Sequence, residues 1–163
     1  MPISIIDTTL TGLAAGGLPA GVINSSNYAS SGRLAITTAI RNSAQSLSGD
    51  SGWQDHVSLA FTTGVASRAM FFFMPGVTWE SGAVQGFYRF VLDGSKIGYN
   101  WCGGRQSAGN NGHSGSGLWF ADVSAAAHTI KIQARNVPGS TWQTPYWSAD
   151  GEGVNMLTAL YYA

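Results

Sequence analysis

Charge is scarce in this sequence. Eight Lys and Arg balance eight Asp and Glu over 163 residues, so charged side chains are 10% of the chain and the formal net charge is zero. Ordinary soluble domains carry roughly 25%. A chain with no basic excess argues against a nucleic-acid partner, which needs a basic face to neutralise phosphates. A single cysteine, Cys102, can close no intrachain disulfide and can build no thiolate zinc site by itself. Long apolar runs are missing as well. The longest, Ala69–Met74, stops at Pro75-Gly76, far short of the ~18 residues a membrane-spanning helix needs, so no membrane insertion is expected. The opening Met1–Asp7 has neither a basic stretch nor an apolar core, and no secretory signal is expected there.

Hydrophobic residues are 44% of the chain, aromatic residues 12%, and 22 residues are Gly. That aromatic content argues against a disordered chain. The length suits one domain with one core. Few charges at zero net charge favour association, and the composition suits a chain that works inside an assembly.

Residues 1–32 differ from the rest. Gly, Ala, Ser and Thr dominate, and no aromatic residue precedes Tyr28. The density of Gly and Pro over Gly12–Gly21 opposes both helix and strand. This region reads as an extended arm, with Ile3, Ile5 and Ile6 as an apolar handle able to add to a neighbour's sheet edge. Residues 33–163 read as an antiparallel two-sheet sandwich, all-β and jelly-roll-like. Strands are expected at Leu34–Arg41, His56–Thr62, Arg68–Met74, Phe87–Leu92, Lys96–Trp101, Leu118–Val123, Thr129–Arg135 and Val154–Tyr162, rich in β-branched and aromatic residues and bounded by Gly, Asn, Asp and Pro. Asp93-Gly94 marks a tight hairpin. Thr129–Arg135 alternates, with Ile130, Ile132 and Ala134 on a core face. The only helix candidate, Val123–His128, is short.

The last strand is apolar on both faces. An antiparallel sheet in a small domain usually leaves one face to water. The second face of Val154–Tyr162 therefore calls for cover, and Leu157, Ala159 and Tyr161 are the expected subunit-interface residues. A loop covering the same face is the alternative.

Thr11-Gly12-Leu13 and Gly17–Ile23 resemble the join between anchor and β-domain in tail-fibre and head-decoration proteins of tailed bacteriophages. The Asp93-Gly94 hairpin, the strand Ala127–Arg135, the loop Pro138–Thr141 and the closing strand Met156–Tyr162 are similar to the C-terminal β-sandwich of such proteins, and the strand pattern resembles trimeric jelly rolls of the tumour-necrosis-factor and complement type. The resemblance implies a homotrimer on the virion surface, with the major capsid protein or another virion protein as partner. A short chain from Met1 without a coiled-coil shaft favours head decoration over a receptor-binding tail-fibre or tail-tip protein; a non-viral carbohydrate-binding module is the third alternative.

Catalytic and cofactor chemistry finds no footing. Gly112-His113-Ser114-Gly115-Ser116 lacks the final Gly of a nucleophile elbow, and no helix pattern follows. No Gly-Lys-Ser/Thr closes a phosphate loop. His56, His113 and His128 share no metal-ligand spacing, and the carboxylates Glu80, Asp93 and Asp122 are scattered. No enzyme activity, cofactor or metal is expected. Recognition is expected instead on two loops. One is Gly103–Gly117, where Arg105, Asn110, Asn111 and His113 stand among glycines; the other is Thr141–Trp147, where Trp142, Tyr146 and Trp147 serve either subunit packing or the stacking of a host surface glycan. Trp79, Trp101 and Trp119 read as core or interface filling.

Overall fold

The structure is a computed structural model. It describes residues 4–6, 9–11, 33–43, 45–48, 52–81, 84–106, 111–113, 115–136, 141–144 and 154–163. The chain divides into two units, Met1–Arg33 and Leu34–Ala163. In the first, β1 (Ser4–Ile6) pairs antiparallel with β2 (Thr9–Thr11), Ile5 opposite Leu10. Ile5 and Ile6 thus belong to a small hairpin and are not a bare extended tip. Ile3 and the Gly12–Gly21 segment lie outside the described residues.

The second unit contains twelve strands among the described residues. They are β3 (Leu34–Arg41), β4 (Gln45–Ser48), β5 (Gln54–Thr62), β6 (Ser67–Met74), β7 (Val77–Ser81), β8 (Val84–Leu92), β9 (Ser95–Gln106), β10 (Asn111–His113), β11 (Gly117–Val123), β12 (Ala127–Asn136), β13 (Thr141–Thr144) and β14 (Asn155–Tyr162). All eight strands expected from the sequence are present. The Val123–His128 helix is not: residues 124–126 turn between β11 and β12.

The eight long strands form two antiparallel sheets, ordered β3-β14-β6-β11 and β5-β12-β8-β9. This interleaving, in which the first long strand lies beside the last and the second beside the seventh, is that of a jelly roll. The short strands make a third sheet, β4-β13-β7-β10, in the same lateral order as the first. Each of its strands adjoins its partner in the chain: β4 follows β3, β7 follows β6 across Pro75-Gly76, β10 precedes β11 and β13 precedes β14. Corner-turning of this kind lets one sheet fold over its own end.

Alternation of side chains puts one face of each sheet inside. Ala69, Phe71 and Phe73 of β6 and Leu157, Ala159 and Tyr161 of β14 meet Val57, Leu59 and Phe61 of β5, Tyr88 and Phe90 of β8, and Ile130, Ile132 and Ala134 of β12. Rings lock the sheets together. Phe61 lies 4.9 Å from Tyr161 and Phe73 lies 4.9 Å from Tyr88, centroid to centroid. The third sheet closes one end with Leu47 and Trp142, both fully buried. At the opposite corner of β8 and β9, Asp93 and Gly94 take φ of 48° and 82°, the conformation that the hairpin signal required.

Candidate functional site

A bare sheet face and an aromatic cleft stand out on the second unit. The face is the outer side of β3-β14-β6-β11. Register brings its side chains into rows. Ile36 pairs with Leu160, Leu160 with Met70, and Met70 with Phe120; Ile40 pairs with Met156 and Met156 with Met74; Leu118 pairs with Phe72. Leu34, Ile36 and Ile40 are 61–69% exposed, and Met74, Leu118, Phe120 and Tyr162 are also exposed. Polar relief is small: Thr38 and Thr158 hydrogen-bond each other at 3.1 Å. Among the described residues of this face, charge is confined to Arg68 and Asp122, opposite each other at one end. Four strands at ~4.8 Å spacing and eight residues at ~3.3 Å rise give a face of about 19 by 26 Å, near 500 Å². That lies in the upper range of single apolar patches on monomers, roughly 300–600 Å².

This finding corrects the interface read from the sequence. Strand β14 carries apolar residues on both faces, but Leu157, Ala159 and Tyr161 are the core side, 0%, 0% and 7% exposed. Pairing fixes that choice: Leu157 stands opposite Phe73 and Ala159 opposite Phe71, both buried. The outward set is Met156, Thr158, Leu160 and Tyr162.

The cleft lies where the edge strands β9 and β11 approach across the open side of the sandwich. A bulge builds it. Tyr88 pairs with Trp101 and Phe90 with Ile97, so Gly98, Tyr99 and Asn100 together oppose the single residue Arg89. Gly98 takes a φ of 69°, and a Cβ there would stand 2.6 Å from the Trp119 indole. Only glycine lets the indole lie on the backbone at this point. The bulge turns Tyr99 outward, 79% exposed, with its ring 5.8 Å from Trp119 and at 88° to it. Phe90 and Trp101 pack 5.0 Å apart, and the Trp101 indole N–H donates to the Gly115 carbonyl at 3.0 Å. The result is a cavity of about 210 Å³ lined by Phe90, Tyr99, Trp101, Trp119 and the Ser116–Leu118 segment. Trp101 and Trp119 were expected to be filling; they pack against the core by one side and line the cleft by the other.

The loop residues fall elsewhere. Trp142 sits in β13 and is wholly buried, its indole over Gly86 and its centroid 5.0 Å from Tyr88. It is a core residue, not a loop platform, because pairing with β4 and β7 makes a strand of this segment. The Gly103–Gly117 loop is shorter than expected: Arg105 belongs to β9, and Asn111 and His113 belong to β10, paired with β7. Asn110, Tyr146 and Trp147 lie outside the described residues.

A buried polar cluster holds the corner between the sheets. The Nδ1–H of His56 donates to Gln45 Oε1 at 2.6 Å, and Asn155 Nδ2 donates to His56 Nε2. These two partners assign the neutral Nδ1–H tautomer. Asn155 also donates to Thr144 Oγ1 at 3.1 Å and accepts the Gly76 N–H, while Arg41 Nη1 donates to the His56 carbonyl at 2.9 Å. Burial, helped by the Arg41 charge, lowers the His56 pKa to about 3. The unfolded chain takes up a proton below pH ~6.5 that the folded chain refuses, so His56 makes stability fall as pH drops from about 6.5 towards about 3. Urea unfolding at pH 7, 5 and 4 measures the slope. His56→Gln lowers stability at pH 7 and flattens the acid limb.

His128 behaves in the opposite way. Its Nδ1 lies 2.6 Å from Asp93 Oδ2 and its Nε2 lies 3.0 Å from the Ser124 carbonyl, so both ring nitrogens face acceptors. The Asp93 hydrogen bond first, then the Ser124 carbonyl, raises its pKa. Its contribution is complete below the unfolded value and is lost as pH rises through the folded one. The pair is a hairpin clasp, since Asp93 Oδ1 also accepts the Thr129 N–H at 2.8 Å. Among the described residues no three His, Cys, Asp or Glu side chains gather as a metal site.

No family model matches the chain, and no characterised protein matches it in sequence. Solved structures with a similar fold include infectious bursal disease virus VP2 in its subviral particle, at TM-score 0.40 and 13% identity over 93% of this chain and 42% of that one. They also include the C-terminal domain of the sugar-binding protein EclA, at TM-score 0.39 and 4% identity over 67% and 74%. A third is a family 35 carbohydrate-binding module from Clostridium thermocellum, at TM-score 0.38 and 10% identity over 78% and 97%. At such scores these likenesses carry no statement about this chain's ligand or partners.

Proposed function

We propose that this chain is a structural protein of a virus particle: a homotrimeric jelly roll that decorates or cements the capsid of a tailed phage and stands on its surface, with no catalytic role. The observation that carries this reading is the bare face of β3-β14-β6-β11. A second copy of the chain is its occupant. In a closed trimer each face packs on a different surface of its neighbour, and a face near 500 Å² against an equal area buries roughly 1,000 Å² per contact, about the least that a specific interface needs. The chain's zero net charge sets no long-range repulsion against self-association. The resemblance at Thr11–Leu13 and Gly17–Ile23 supports a phage particle, and the resemblance of the strand pattern to trimeric jelly rolls supports a trimer.

The N-terminal unit is the anchor in this reading, and the major capsid protein or another virion protein is what it grips. The sheets of the second unit draw every strand from Leu34–Ala163. Deleting residues 1–33 therefore leaves a folded trimer and abolishes rebinding to particles that lack the protein. Decoration at wild-type occupancy by the truncated form contradicts the anchor. Loss of solubility on truncation contradicts the interface, because it means that the first unit covers the sheet. A receptor-binding tail protein of the same fold is the second reading, favoured by the aromatic cleft. Copy number in purified particles, capsid-like or tail-like, separates the two.

A further inference from the structure

We infer that the cleft between β9 and β11 binds a single ring of a neutral saccharide. This inference rests on the bulge, and of the cleft's lining Leu118 also belongs to the bare face. Its first ground is shape. At about 210 Å³ the cavity is smaller than the roughly 300–1,000 Å³ of sites for drug-sized ligands, and it suits one six-membered ring with the rest of the chain running out to solvent.

The second ground is the chemistry of the lining. Trp119 and Tyr99 stand at right angles, so a ring seated against one face meets the edge or the face of the other. A pyranose presents a flat patch of C–H groups on one side and hydroxyls around its rim. The C–H patch suits an aromatic face, and the rim needs hydrogen-bonding groups at the mouth. Ser116 and Tyr99, both hydroxyl-bearing residues, line the cleft. Aromatic side chains with a polar tip are adapted to such half-wet surfaces. No charged side chain lines the cavity, so an acidic or cationic sugar gains nothing there. A proline-rich peptide also seeks Tyr and Trp, but such segments dock along an extended aromatic groove. One cavity of this size seats one ring.

The third ground is construction. An edge-strand bulge costs ladder hydrogen bonds, and bulges recur where a side chain must be re-aimed. Here the re-aimed side chain is Tyr99, which is left 79% exposed and adds little to the core. Its edge contact with Trp119 leaves most of the ring in solvent, where a ligand can use it.

The test is titration of the full chain with xylohexaose, cellohexaose and chitotetraose, followed by intrinsic tryptophan fluorescence and calorimetry. An oligogalacturonate and a proline-rich decapeptide serve as comparisons. Saturable binding of at least one neutral oligosaccharide is expected. Tyr99→Ala, at a position too exposed to threaten the fold, weakens that binding by about tenfold or more, equivalent to ~1.4 kcal/mol. Tyr99→Phe keeps the ring and most of the affinity. Three results overturn the inference: no neutral oligosaccharide binds, Tyr99→Ala binds as tightly as the wild type, or the peptide or the acidic sugar binds in preference.

Discussion

Trp142→Ala lowers the unfolding free energy of the sandwich by ~3–5 kcal/mol, the range for losing a large buried aromatic side chain. Against a total of ~5–15 kcal/mol for a typical domain, this is the most damaging single truncation expected. The indole is fully buried. It comes from the middle of β13, between β7 and β4, and it seals the end of the core against Tyr88 and the backbone of Gly86. Glycine at position 86 gives the ring its seat and has no side chain of its own to fill the void. Urea unfolding at fixed protein concentration should show a lower midpoint with an unchanged slope. A loss below ~1 kcal/mol would place the ring outside the core and restore the loop-recognition role expected from sequence.

The second large effect is on assembly. Ile36 and Leu160 face each other across β3 and β14 on the bare sheet. Replacing both with Asp puts two carboxylates of each subunit into the proposed apolar interface without partners, which costs several kcal/mol for each buried charge. In a closed trimer every substitution appears three times, so the oligomer should fall apart to monomers of 17.1 kDa. The monomer keeps its β-sheet signal, because Ile36 is 69% exposed within it. Leu157→Asp is the contrast. It differs from position 160 by three residues but points inward at 0% exposure, and it should prevent folding. If the Ile36/Leu160 double variant keeps the wild-type mass, the face is not the interface.

Much of this architecture was legible in the sequence. Ile130, Ile132 and Ala134 alternate with polar residues, so β12 declared both its period and its inner face. Asp93-Gly94 declared its turn. The closing strand declared itself apolar on both faces. Its parity was not legible, because a strand apolar on both sides carries no sign of which side is in; the partners Phe71 and Phe73, far away in sequence, settle it. Trp142 failed for a related reason. Thr141–Thr144 is a four-residue strand among Thr, Gln and Pro, and only its neighbours β4 and β7 make it one. The cleft was hidden more deeply. It depends on a bulge at Gly98–Asn100, where the one local cue is a glycine inside a strand pattern, the usual mark of a bulge or a close backbone approach.

The solution mass of the intact chain tests the central claim most directly. Light scattering at micromolar concentration and physiological ionic strength should return about three times 17.1 kDa, independent of dilution over the range measured. A clean species of 17.1 kDa would mean that the β3-β14-β6-β11 face meets water or its own N-terminal unit, and the account of this protein as a self-assembling particle component would be wrong.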